Sequence, residues 1–184
     1  MACRVKKTWR YSEARHHEKE RRRFLKRWYK YASSGKNIIY VDESGFDLHA
    51  VRQYGRAPKG QKVHGERPGN RRPRTSLLAA RMPEGHLAAT QLWEGTCNTL
   101  IFNDWLEKRL CPLIDESGVI IMDNATFHKS NETKELIAAK GAVLLFLPPY
   151  SPDLNPIEKD FGALKKIREY NHEKSVDEII RAYN

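Results

Sequence analysis

No stretch of this chain holds the roughly 18 consecutive apolar residues that a membrane-spanning helix needs, and the longest run, near Val143 to Leu147, is short. The N-terminus is basic, yet no apolar segment follows it, so it does not read as a secretory signal. Cysteine is scarce. Cys3, Cys97 and Cys111 are scattered, odd in number and free of any C-x-x-C pair. That pattern argues against a disulfide framework and a structural zinc site, and for a reduced, cytosolic setting. Acidic residues are thin in two places. Between Met1 and Tyr31 three Glu face twelve Lys or Arg, and between His49 and Arg81 Glu66 alone faces nine. Two basic segments are therefore laid on a nearly neutral body, and the net charge of +10 with a pI near 9.6 points to a polyanionic partner.

The length of 184 residues suits one domain with a real core and an appendage. Residues 12–31 read as a helix capped by Ser12, with Phe24, Leu25, Trp28 and Tyr29 as its apolar stripe. Its other face carries Arg15, Lys19, Arg22, Arg23, Lys26 and Lys30, either for DNA phosphates or simply for solvent. Residues 1–36 thus form a basic linker helix ahead of a domain at 37–184.

That domain opens with a strand at 38–42, whose alternation sets Ile38, Tyr40 and Asp42 on one face and Ile39 and Val41 on the other. Glu43 points away and ranks below Asp42 as a functional acid. Residues 49–74 are irregular and rich in Arg, Lys, Gly and Pro, a basic insertion that is either a phosphate-binding arm or a loose loop. Strands at 75–80 and 86–93 follow, joined by a turn at Met82-Pro83-Glu84-Gly85. A helix over 99–114 turns Leu100, Ile101, Trp105, Leu106 and Leu110 inward.

The remaining stretch organises the chain. Val119-Ile120-Ile121-Met122-Asp123 is an unbroken apolar strand ending in an acid. A helix at about 131–139 leads to another apolar strand, 142–147, which Pro148-Pro149 halts. Asn155-Pro156 then starts a helix, with Asn at the cap and Pro at its first position, placing Glu158 in the first turn. Ile157, Phe161, Leu164 and Ile167 form that helix's core stripe.

Three phrases carry a family resemblance: Tyr40-Val41-Asp42-Glu43-Ser44-Gly45-Phe46, Met122-Asp123-Asn124-Ala125-Thr126-Phe127-His128, and Pro148-Pro149-Tyr150-Ser151-Pro152-Asp153-Leu154-Asn155-Pro156-Ile157-Glu158. Glu158 follows Asp123 by 35 positions. In order and spacing these resemble the mariner-like DDE transposases, in their bacterial insertion-sequence branch. Phe161 stands where many relatives carry tryptophan.

The resemblance implies a ribonuclease-H-like α/β fold, a mixed five-stranded sheet flanked by helices. It implies Asp42, Asp123 and Glu158 as catalytic, metal-holding acids, and DNA ends and target DNA as substrates. It also implies a homodimer in the active complex and a bacterial, nucleoid-associated location. Three carboxylates brought to one sheet edge would repel unless a cation neutralises them. Hard oxygen ligands suit Mg²⁺ or Mn²⁺, and two ions roughly 3.5–4 Å apart serve phosphodiester displacement. Arg71, Arg72 and Arg74 in the insertion, and Lys165 seven positions after Glu158, are the candidate DNA contacts. Asn124 either orients Asp123, touches a phosphate or steadies a turn, and His128 positions a loop or touches phosphate rather than binding metal.

Two readings follow. One is an active transposase catalytic domain cutting and joining DNA. The other is a truncated or decayed fragment that binds DNA without productive catalysis, since only about 37 residues precede the first strand, too few for a helix-turn-helix reader plus a linker. A retroviral-type integrase or plain nuclease on this fold fits the motifs less well.

Overall fold

The computed structural model describes residues 17–46, 58–62, 74–171 and 173–183. Helix α1 (Glu18–Ser33) leads into β1 (Asn37–Phe46), β2 (Thr75–Arg81) and β3 (Leu87–Glu94). Then come α2 (Thr99–Trp105), β4 (Gly118–Met122), α3 (Asn131–Ala139), β5 (Val143–Phe146), α4 (Ile157–Tyr170) and α5 (Val176–Tyr183). The strands form one sheet in the order β3-β2-β1-β4-β5. β2 pairs antiparallel with β1 and β3, while β4 pairs parallel with β1 and β5. This is the mixed five-stranded sheet expected from the sequence.

All five residues of β4 are buried, as an apolar run without alternation requires of a central parallel strand. On one face, Ile39, Val41, Leu78, Ile120 and Met122 pack against Phe102, Trp105, Leu106, Leu110 and Ile137. Behind β1 and β2, Phe46, Leu77 and Ala79 meet Ile157, Phe161 and Leu164 of α4 and Ile179 and Ile180 of α5. Behind β4 and β5, Val119, Ile121 and Leu145 meet Phe24 of α1. Each fully buried aliphatic or aromatic side chain contributes about 1.5–3 kcal/mol, so the site rests on a well-anchored sheet.

Several elements differ from the sequence expectation. β1 does not stop at Asp42 but continues to Phe46, because β2 supplies ladder partners for Glu43, Ser44, Gly45 and Phe46. The expected single helix over 99–114 is α2, a π-helical turn at Leu106–Leu110 and a 3₁₀ turn at Cys111–Leu113, where Pro112 ends regular bonding. That register turns Phe102 inward and leaves Leu100 77% exposed. Tyr29 and Ile167 likewise face outward, while Tyr31 and the buried Arg168 take positions nearer the body. The expected cap Ser12 lies outside the described residues. Helix α5 has no counterpart in the sequence expectation; its Tyr183 hydroxyl donates to Asp160 of α4 at 2.8 Å. Among the described residues, no helix is long and apolar enough to cross a membrane.

Candidate active site

Parallel pairing of β1 with β4 ends at Tyr40 opposite Ile121, so carrying the register two residues further sets Asp42 level with Asp123. Glu158 enters from the first turn of α4. Asp42, Asp123 and Glu158 line one open cleft of about 560 Å³, together with Glu43, Asn124, Tyr150, Ser151 and Asn155. The three acids singled out in the sequence are therefore brought to one edge of the sheet.

The electrostatics of the cleft are lopsided. Burial, reinforced by the charge of Glu43 and, less strongly, of Asp123 and Glu158, pushes the Asp42 carboxyl up to about 8. A hydrogen bond from the Glu43 amide to Asp42 Oδ1 at 2.8 Å only partly opposes this. Burial also lifts Glu43. For Asp123 burial pulls upward as well, but the hydrogen bonds of His128 and the Ala125 amide outweigh it and hold the carboxyl below its ordinary value.

His128 is fully buried. Its Nδ1 lies 2.7 Å from Asp123 Oδ1 and its Nε2 3.7 Å from Glu43 Oε2. Phe102 and Phe127 pack on the ring at 4.4 and 4.3 Å between centroids. Wedged behind two carboxylates, His128 supports Asp123 and does not face the cleft. Glu43 follows Asp42 on the strand and shares the cleft with it, while its Oε2 reaches toward the buried His128. Ranking it low missed this contact, which no periodicity in the sequence signals.

Asn124 donates its side-chain amide to the carbonyl of Leu147, tying the end of β4 to the end of β5. Asn124 also lines the cleft. Asn155 departs from its expected role. Its side chain makes no helix cap and instead donates from Nδ2 to Asp42 Oδ2 at 2.9 Å, leaving only its backbone carbonyl to accept from the Glu158 amide at 3.3 Å. Small polar residues before Pro read equally as caps, so the sequence hid this contact.

Lys165 is exposed, with its ammonium 5.9 Å from the centre of the Phe46 ring. Arg74 is exposed, and its guanidinium lies across Gly45, where a Cβ would collide with it. Arg71, Arg72 and most of the basic insertion at 49–74 lie outside the described residues.

The family model for DDE superfamily endonucleases matches residues 37–180. The chain belongs to that family. Over 45 residues this DDE-family chain is 51% identical to the transposable element Tc3 transposase of Caenorhabditis elegans, a match covering 24% of this chain and 14% of the relative. Its fold matches that of the Mos1 transposase in the strand transfer complex, with a TM-score of 0.65 at 18% identity, covering 98% of this chain and 62% of the other. The pre-cleavage Mos1 transpososome gives 0.64 at 17%, covering 98% and 63%. The DDE-family chain thus spans less than two thirds of the transposases it matches.

Proposed function

We propose that this chain is the catalytic domain of a DNA transposase, cleaving DNA strands and transferring them through a divalent-metal site built by Asp42, Asp123 and Glu158. The observation that carries the reading is the convergence of these acids on one cleft, with burial and neighbouring charge lifting Asp42 to about 8. A carboxyl that resists ionisation, first because it is buried and then because its neighbours are acids, sits where a cation would be favoured. The donors are all hard oxygens, which fits Mg²⁺ or Mn²⁺. Bound there, one or two such ions would activate water or a 3′-hydroxyl and stabilise the leaving oxygen of a phosphodiester.

The chain's own residues set the stage for that chemistry. Asn155 and the Glu43 amide fix the two oxygens of Asp42, His128 fixes one oxygen of Asp123, and α4 delivers Glu158. Among the described residues no three His, Cys, Asp or Glu side chains are gathered tightly enough to grip an ion as they stand. DNA ends and target DNA are the substrates of this reading, and a homodimer in bacterial cytoplasm its working form. Relatives support it: the structural matches include Mos1 mariner paired-end complexes with Mn and with Mg. The second reading is a fragment that binds DNA without cutting it.

Strand nicking of DNA carrying the element's ends, in Mg²⁺ or Mn²⁺, separates the two. Asp42→Ala, Asp123→Ala and Glu158→Ala should each abolish nicking while folding and DNA binding persist. Nicking that survives in Glu158→Ala removes Glu158 from the site. A folded wild-type chain that binds DNA and never nicks it favours the second reading.

A further inference from the structure

The segment from Pro148 to Pro156 carries four prolines and one residue of left-handed backbone, Tyr150 at φ 52°. No strand ladder holds it, yet it places both Asn155 and Glu158. Arg21, in the first turns of α1, reaches it from 130 positions away. Its Nη1 donates to Ser151 Oγ at 2.7 Å and to Asp153 Oδ1 at 3.0 Å, and its Nη2 donates to Asp153 Oδ2 at 2.6 Å. Ser151 passes the restraint on, donating to the Pro149 carbonyl at 3.0 Å. The turn then closes through Leu154 N–H to Ser151 O and Asn155 N–H to Pro152 O, both 3.0 Å. Asn155, 4% exposed, ends the chain of contacts on Asp42 Oδ2.

We propose that Arg21 is a positioning residue for the acidic site: its fork on Ser151 and Asp153 sets the 151–155 turn, and through Asn155 and Glu158 it sets the carboxylates. The proposal rests on the metal-site reading above. Helix packing alone does not explain the fork. α1 is already seated by Phe24, Leu25 and Trp28, whose Nε1 donates to the Tyr40 hydroxyl at 2.8 Å. With Asp153 61% exposed, the ion pair adds little to global stability. A planar guanidinium gripping a carboxylate with two parallel bonds contributes orientation that a lysine could not. The placement of α1 is thereby coupled to the geometry of the site.

The test is a double-mutant cycle on the 184-residue chain, with Arg21→Ala, Asp153→Ala and the double variant. Three quantities are read: amide hydrogen exchange at Leu154, Asn155 and Glu158, Mn²⁺ binding by calorimetry without DNA, and nicking kcat and KM. Each single variant should speed exchange in the turn, weaken Mn²⁺ binding about tenfold and lower kcat about tenfold, as loss of an outer-shell support does. The double variant should be no worse than Arg21→Ala, which already removes the bonds to both Ser151 and Asp153. Unchanged exchange in the turn overturns the proposal. So does an Arg21→Ala effect confined to KM and absent in Asp153→Ala, which would make Arg21 a DNA contact. A wild-type chain that neither binds Mn²⁺ nor nicks, while exchange responds as expected, would overturn the metal-site reading and leave the latch standing.

Discussion

Asn155 Nδ2 donates to Asp42 Oδ2 at 2.9 Å, joining the turn ahead of α4 to the middle of β1 across 113 positions of chain. Both partners are buried, Asn155 at 4% and Asp42 at 8% exposure. The contact links the turn that delivers Glu158 to the acid on the sheet, so the two carboxylates share one support.

Asn155→Ala should therefore disable the site without unfolding the chain. Loss of such an outer-shell partner costs about 10–100-fold in metal affinity or activity. The Asn155 Oδ1 has no hydrogen-bond partner among the described residues, so its removal offsets part of the loss from the broken bond. Circular dichroism should show an unchanged fold while Mn²⁺-dependent nicking falls. Full activity in Asn155→Ala would mean that Asp42 needs no orienting partner.

The pH dependence of stability follows from Asp42. Its folded carboxyl stands at about 8 against an ordinary 3.8, chiefly through burial. Across that window the folded state keeps a proton that the unfolded state releases, so stability is full below 3.8 and lost as pH rises through about 8. The metal-free chain should melt progressively lower between pH 5 and pH 8.5. Asp42→Asn should flatten that slope and raise Tm at pH 8, by about 2–4 °C per kcal/mol recovered. Saturating Mn²⁺ should do the same for the wild type. A Tm that rises with pH over this range would contradict the assignment.

His128 offers a test of the opposite sign. Its hydrogen bond helps to hold Asp123 below the ordinary carboxylate range, and it is sealed between Phe102 and Phe127. His128→Leu keeps the packing but removes a partner from Asp123 and the neighbour of Glu43. Asp123 is half exposed, so water tempers the cost, and about 1–3 kcal/mol is expected in urea unfolding. Asp123 should then titrate higher, shifting the acid limb of the nicking profile to higher pH. An unmoved acid limb with equal stability would reduce His128 to core filling.

How far the sequence revealed these relationships depended on the kind of signal. Strands β4 and β5 were legible because unbroken apolar runs meet a fixed stop, Asp123 in one case and Pro148 in the other. The far half of β1 was not: Ser44-Gly45 reads locally as a turn, and only pairing with β2 makes it strand. Leu100 and Tyr29 misled in the same way, since apolar spacing sets a face but not which of two adjacent residues turns inward. The acids at 42, 123 and 158 stood out through the spacing of motifs. Arg21 and Asn155 could not, because side-chain contacts across more than a hundred positions leave no periodic trace.

Binding of DNA should be governed by phosphates. The basic segments supply concentrated positive charge, so affinity should fall roughly 10³–10⁵-fold between about 50 and 200 mM salt for about 6–10 contacts. Arg71, Arg72 and Arg74 belong to a stretch of Arg and Lys with almost nothing apolar to bury. Replacing all three with Ala should leave Tm nearly unchanged, as surface substitutions usually fall within about ±0.5 kcal/mol. Affinity or strand joining should drop, and the slope of log affinity against log salt should shrink by about 0.9 for each phosphate that is no longer neutralised. Fluorescence anisotropy across a salt series measures both. Unchanged affinity, slope and joining would make the insertion a loop without a DNA role. A large fall in Tm would show that these arginines support the fold.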